Sequence, residues 1–443
     1  MHNFRLTAAT LLVLLAACSA NPHRTQWRAA EAQPNIDSTV MANAVPSSDG
    51  VAVTKPMLDM AALGIYPHSM LQYRTTAGSI YIQNLSATIE SLRQAGAEKP
   101  GSPRAGVLAG SLYHRFQILG KISDGEQALA LLDRIPDNTI DVRTRRQRAG
   151  LRTGFHRFDE AIADLKAASS KGRPLSPGDR SLRGIALARG DYASIRDDFA
   201  KAGEPSEKFD ELVLRGNLAA LNGDLSTASM QFYRAQSVYT DSSPYQLAWL
   251  FAQQGVALER FGQCDRARVF FDAAIERLPG YALALDHLGE CLLSSGQLDA
   301  ARPIYAQLIE QTGNPEYLGA MAVLEKEAGN NALAEDYRLR AIAGYQRILA
   351  SESVTWSQHA AEFYLSIGDP QQALIQARNN LDNRNDVLSL TLLARAAHAN
   401  GLDKDACDAL RKVAASGLKP PEVERWKSQL PQSCAGMKAT INE

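Results

Sequence analysis

The stretch "QGVALERFGQCDRARVFFDAAIERLP", residues 254–279, is followed closely by "DHLGECLLSSGQLDAARPIYAQLI", residues 286–309. The two share a punctuation. A small residue precedes a glycine by seven positions, an alanine follows that glycine by five, and a bulky apolar residue comes four later: Gly255, Gly262, Ala267 and Phe271, then Gly289, Gly296, Ala301 and Tyr305. Between these marks the apolar residues recur at the three- and four-residue spacing of a helix face. The unit is therefore two helices joined by a tight turn.

The punctuation continues in both directions. Glycines at 223, 262, 296, 329, 368 and 401 are separated by 39, 34, 33, 39 and 33 residues. Five residues after each stands an alanine: Ala228, Ala267, Ala301, Ala334, Ala373 and Ala406. Seven before each is Gly216, Gly255, Gly289, Ala322, Ala361 or Ala394. A glycine can close a helix in the left-handed conformation and let the chain turn back. Small residues on the two helices let them approach closely, and Phe232, Phe271, Tyr305 and Leu410 fill the space between pairs. Upstream the pattern weakens. The pair at 175–204 keeps Gly190 but has Ile195 where alanine is expected, the pair at 141–170 has a displaced turn, "TGFHRF", and the pair at 104–135 keeps only Ala128. Before these, Ile82, Leu85, Ile89 and Leu92 form one more helical face.

With its 34-residue period, this pattern resembles the tetratricopeptide repeat (TPR), strongly over 209–314, well over 315–418 and weakly before. The resemblance implies an all-α fold: a solenoid of antiparallel helix pairs coiled into a superhelix, capped by the short helix "PPEVERWKSQL". The two 39-residue steps place extra residues near "TDSSPY" and "LASESV". The expected organisation is a signal peptide over 1–17, a linker over 18–55, divergent repeats over 56–207, the main array over 208–418 and a cap and tail over 419–443. In such repeats the second, fifth, ninth, twelfth and thirteenth residues of the first helices line a concave binding surface. Here that selects Arg143, Arg146, Arg180, Asn217, Trp249, Glu259, Asp286, Glu290 and Glu362. The Lys/Asn set that clamps C-terminal carboxylates in chaperone-binding TPR proteins is missing at these positions. The repeat register also brings the start of one second helix beside the end of the next first helix, which pairs Cys264 with Cys291. Cys407 and Cys434, again 27 apart, form the other expected disulfide.

The beginning of the chain has another likeness. The apolar run from Leu6 to Ala17 is shorter than the roughly 20 residues that span a bilayer, and it has the layout of a secretion signal. Leu15-Ala16-Ala17-Cys18 resembles the bacterial lipobox, in which Cys18 becomes the lipidated first residue. Ser19 after it resembles lipoproteins sorted to the outer membrane, facing the periplasm. Residues 19–55, rich in Ser, Ala, Asn and Pro, read as a coil spanning about 30–35 Å.

No Gly-rich phosphate loop or nucleophile elbow is present, so no catalytic residue, cofactor or enzymatic activity is expected. His287 and Glu290 lie on one helix turn, but no third ligand is near in sequence. They read as a helix-surface pair, with no metal. "RGD" at 189–191 falls on a repeat turn, and "NLS" at 84–86 is a sequon only by pattern. The formal net charge of −1 gives no sign of a nucleic-acid partner. It conceals a split: residues 141–200 hold 13 Lys/Arg against 8 Asp/Glu, and 281–330 hold 2 against 7. The expected function is a membrane-tethered scaffold that binds a protein or peptide partner at the cell envelope, in pilus, secretion, export or envelope-maintenance assembly. The alternatives are a ligand-binding or enzymatic role carried by residues 56–140, and a purely structural spacer.

Overall fold

The structure, a computed structural model, describes residues 75–99, 101–170, 179–201, 208–426 and 434. Cys18, the signal peptide and the linker lie outside the described residues. A single helix, α1 (Gly78–Gln94), is followed by helix pairs. They are α2 (Ala105–Leu119) with α3 (Ile122–Asp133), α4 (Val142–Gly154) with α5 (Phe158–Ser170), and α6 (Arg180–Arg189) with α7 (Tyr192–Lys201). Then come α8 (Phe209–Leu221) with α9 (Leu225–Ser237), α10 (Pro244–Arg260) with α11 (Cys264–Arg277), and α12 (Ala282–Ser294) with α13 (Leu298–Thr312). Next, α14 (Pro315–Glu327) pairs with the first part of α15 (Asn331–Ser366). The second part of α15 pairs with α16 (Pro370–Leu381), and α17 (Val387–Ala399) with α18 (Asp403–Ala415); α19 (Pro421–Trp426) follows. Among the described residues there is no strand, and no helix is long and apolar enough to cross a membrane. The all-α solenoid of antiparallel pairs is the observed fold.

The six turn glycines take φ between 71° and 84°. The displaced turn "TGFHRF" has a physical explanation: His156 takes the left-handed conformation there, with φ 55°. The extra residues of the two long steps lie in the segment between α9 and α10, and at a break in α15 where Glu352 has φ −141° and ψ 63°.

The small residues of the first helices have a sharper role than helix-to-helix contact. A Cβ on Gly255 would lie 2.4 Å from the Phe271 ring, one on Gly216 2.5 Å from Phe232, and one on Gly289 2.9 Å from Tyr305. Each second-helix ring packs against a bare patch of its partner's backbone.

Contacts between distant repeats close the coil. Gln311 donates to the Leu119 carbonyl at 2.7 Å, Thr355 to the Phe155 carbonyl at 2.9 Å, and the Val387 N–H to the Tyr192 hydroxyl at 3.0 Å. Asn383 bonds the His156 carbonyl. The early hairpin tips thus rest on the loops between later repeats, and one superhelical turn lies edge to edge on the next. The first helices of the second turn are buried on both sides; α10 buries 15 of its 17 residues. Along this seam the inner faces of the first helices pack against neighbouring helices and are largely closed to solvent.

Candidate functional site

The inner faces of α10, α12, α14 and the second part of α15 bring carboxylates and imidazoles together. His287 is 1% exposed and lies flat on the Phe271 ring. Its Nδ1 is 2.6 Å from Glu259 Oε2, which arrives from the preceding repeat, and 3.3 Å from Glu290 Oε2, one turn along its own helix. The surface reading of His287 and Glu290 is therefore corrected: the pair is interior, and a third group does join it. Sequence proximity missed that group because it comes from another repeat.

Burial works against a charged imidazole, but Glu259 and Glu290 outweigh it and hold His287 well above its ordinary range. One proton on Nδ1 cannot serve two carboxylates. Glu290 Oε2 has no hydrogen-bond partner among the described residues, and burial pushes its carboxyl up to about 8. Asp286, one residue before the histidine, is pushed well up by burial and by its neighbours Glu290 and Glu316.

A second pair continues the row. His359 Nδ1 is 3.0 Å from Glu316 Oε1. Burial opposes both charges. The partners prevail, so His359 is raised and Glu316 lowered, the signature of an ion pair. Glu362, one turn after His359, also favours the charged imidazole. The Tyr305 and Tyr345 hydroxyls, fully buried, have no hydrogen-bond partner among the described residues, and both rings lie near these carboxylates.

Of the residues selected from the sequence, Glu259, Asp286, Glu290 and Glu362 lie in this row on the inner face. Trp249 is buried beside Phe209 with its indole N–H unpartnered among the described residues, and Asn217 is buried in α8. Arg143 is exposed, and Arg146 pairs with Asp179 at 3.5 Å. Arg180 opens α6, but its side chain lies outside the described residues.

Much of the basic surplus near 141–200 is structural. Asp164, 2% exposed, receives Arg148 at 2.6 Å, Arg152 at 2.8 Å and Arg145 at 3.3 Å. Their spacing along α4 puts all three on one face, and nothing in the sequence marks the aspartate they share. In the atypical stretch before it, Arg115 grips Asp124 at 2.6 and 2.8 Å. His114 Nε2 meets the Tyr81 hydroxyl at 2.6 Å, and burial lowers its pKa to about 4. These polar groups hold helices together.

Two disulfides join neighbours. Cys264 is bonded to Cys291, Cα atoms 5.3 Å apart, and Cys407 to Cys434, 5.5 Å apart. The first ties the start of α11 to α12, beside Glu259 and His287.

A sequence profile of the tetratricopeptide repeat family matches residues 260–324. The comparison with curated proteins gives no match. Among solved structures, the chain is similar to the APC/C hetero-tetramer Cut9–Hcn1, with 15% identity and a TM-score of 0.41 over 75% of this chain. The match spans 64% of that structure's chain, under two thirds of its length. It is also similar to a human IFIT1 dimer with m7Gppp-AAAA, with 13% identity and a TM-score of 0.40 over 80% of this chain and 93% of that one.

Proposed function

We propose that this chain, whose residues 260–324 belong to the tetratricopeptide repeat family, is a scaffold that holds a protein partner at the bacterial cell envelope, anchored through lipid on Cys18 to the periplasmic face of the outer membrane. Helix-pair repeats of this kind present surfaces for binding other proteins, and fold alone does not choose the partner. The observation that carries the reading is the row of first-helix carboxylates Glu259, Asp286, Glu290, Glu316 and Glu362, set among tyrosines along one inner face. Its chemistry suits a cationic segment: an arriving cation favours the ionised forms of Asp286 and Glu290, which burial disfavours, and aromatic faces attract ammonium and guanidinium groups. Two disulfides suit an oxidising compartment, and the lipobox-like tetrad supplies the anchor.

Two measurements test it. Cys18→Ala should move the protein out of the membrane fraction; sedimentation that resists a salt wash would end the anchoring argument. Asp286→Lys with Glu362→Lys should abolish capture of the partner that co-purifies from solubilised membranes, and capture by the parent should weaken with salt. Salt-independent capture that survives the double reversal would move the binding surface elsewhere. The exposed Arg143 then becomes the place to look, through Arg143→Glu with Arg146→Glu.

A further inference from the structure

We propose that Glu259, His287 and Glu290 form a binding site for a divalent metal ion of the zinc class, built across two successive repeats. The inference does not depend on the scaffold reading or on any partner.

Three donors converge. His287 Nδ1, an oxygen of Glu259 and an oxygen of Glu290 all lie within 4.8 Å of one another. The two separations from the imidazole are 2.6 and 3.3 Å. Donors bonded to a tetrahedral zinc at about 2.0–2.1 Å are about 3.3 Å apart. The Glu290 edge already has that length, and the Glu259 edge needs only a small opening. Imidazole nitrogen with carboxylate oxygens is a donor set zinc accepts, and three protein donors leave a fourth position for water or a ligand.

The arrangement is poorly served without a cation. Nδ1 carries at most one proton, and the close contact to Glu259 takes it. Glu290 Oε2 is then a buried oxygen with no donor among the described residues. A dication resolves this: it accepts the Nδ1 lone pair and one oxygen from each carboxylate together. An independent group points to the same place. The Tyr305 hydroxyl, completely buried and without a hydrogen-bond partner among the described residues, packs over Gly289, the residue before Glu290. A water on the open position of the metal would give it a partner.

The surroundings hold the donors still. The Phe271 ring lies against the imidazole, 15° from parallel. The Cys264–Cys291 disulfide clamps the turn after Glu259 against the helix that carries His287. These sulfurs are also near Glu259, but bonded to each other they offer no thiolate.

The test is calorimetric titration of the chelator-stripped, oxidised protein with zinc, at mildly alkaline pH so that protons do not compete for the imidazole. One zinc per chain should bind, raise the thermal midpoint, and give the tetrahedral visible spectrum when cobalt replaces it. His287→Gln and Glu259→Gln should weaken binding on the order of 100-fold, since even second-layer losses reach that range. Glu290→Gln keeps the close His287–Glu259 contact and so keeps the fold; it too should weaken binding. Glu316→Gln, outside the triad, should bind as the parent does. The proposal is overturned by absence of stoichiometric zinc, by unchanged affinity in Glu290→Gln, or by binding that appears only after reduction and vanishes in Cys264→Ser.

Discussion

Gly255→Ala sets two effects of known size against each other. Inside a helix, alanine is favoured over glycine by about 1 kcal/mol. On an unobstructed helix face the substitution would therefore stabilise. Here the new Cβ would lie 2.4 Å from Phe271 Cε1, with two more ring carbons within 2.8 Å. The ring must retreat by about 1 Å to reach ordinary contact. It cannot do so freely, because it is fully buried and its other face stacks on His287, which Glu259 pins. Forcing a methyl into a packed core costs about 1–3 kcal/mol. The net expectation is a loss of about 1 kcal/mol, rising toward 2 where the repeat yields poorly. Gly289→Ala is the internal comparison: its nearest ring atom is 2.9 Å away, so it should come close to neutral. Urea unfolding followed by helical circular dichroism reads both. A double variant, Gly255→Ala with Phe271→Leu, should recover part of the sum, because removing the ring removes the clash. If Gly255→Ala is as stable as the parent, or the pair is strictly additive, ring-on-glycine packing does not set the distance between the helices.

Three further outcomes follow from buried groups. Asp164→Asn leaves Arg148 and its neighbours with one fewer counter-charge and should destabilise by about 3 kcal/mol; a change below about 0.5 kcal/mol would mean that Asp137 suffices. Cys264→Ser with Cys291→Ser opens a 27-residue loop and should cost about 3.5 kcal/mol by chain entropy, with reductant giving the parent the same loss unless the second bridge also opens. His114 has its folded pKa lowered to about 4 from an ordinary 6.5, so its contribution is full above 6.5 and disappears as pH falls toward 4. That part of the acid loss, about 3 kcal/mol, should be absent in His114→Gln, and identical pH profiles would refute the assignment.

The parts of the fold that repeat locally were readable in the residues. Turn glycines, the alanines after them and the large residues between pairs each answer a steric demand at fixed spacing, so six occurrences disclose the helix pairs. The 27-residue cysteine spacing was readable for the same reason. Where a demand is met differently, the pattern fades: His156 supplies the left-handed turn that glycine supplies elsewhere. The partner of His287 was hidden for another reason. Glu259 stands three residues before Gly262, and His287 nine before Gly296, so the two occupy different places in the repeat and no period links them. Asp164 and its arginines, and the contacts from Leu119 to Gln311 or from His156 to Asn383, depend on how the coil winds, which a one-dimensional pattern does not carry.

The seam between superhelical turns gives the molecule the mechanics of a spring whose coils touch. In an open repeat array each unit leans only on its neighbours, so the ends fray independently and the stack lengthens smoothly under load. Here a pull on the two ends must first part bonds such as Gln311 to Leu119 and Thr355 to Phe155, which join residues about 200 positions apart. Extension should begin with a stiff, abrupt release and only then become compliant. Refolding must bring those distant edges together again, so it should be slower than for an open array of equal length.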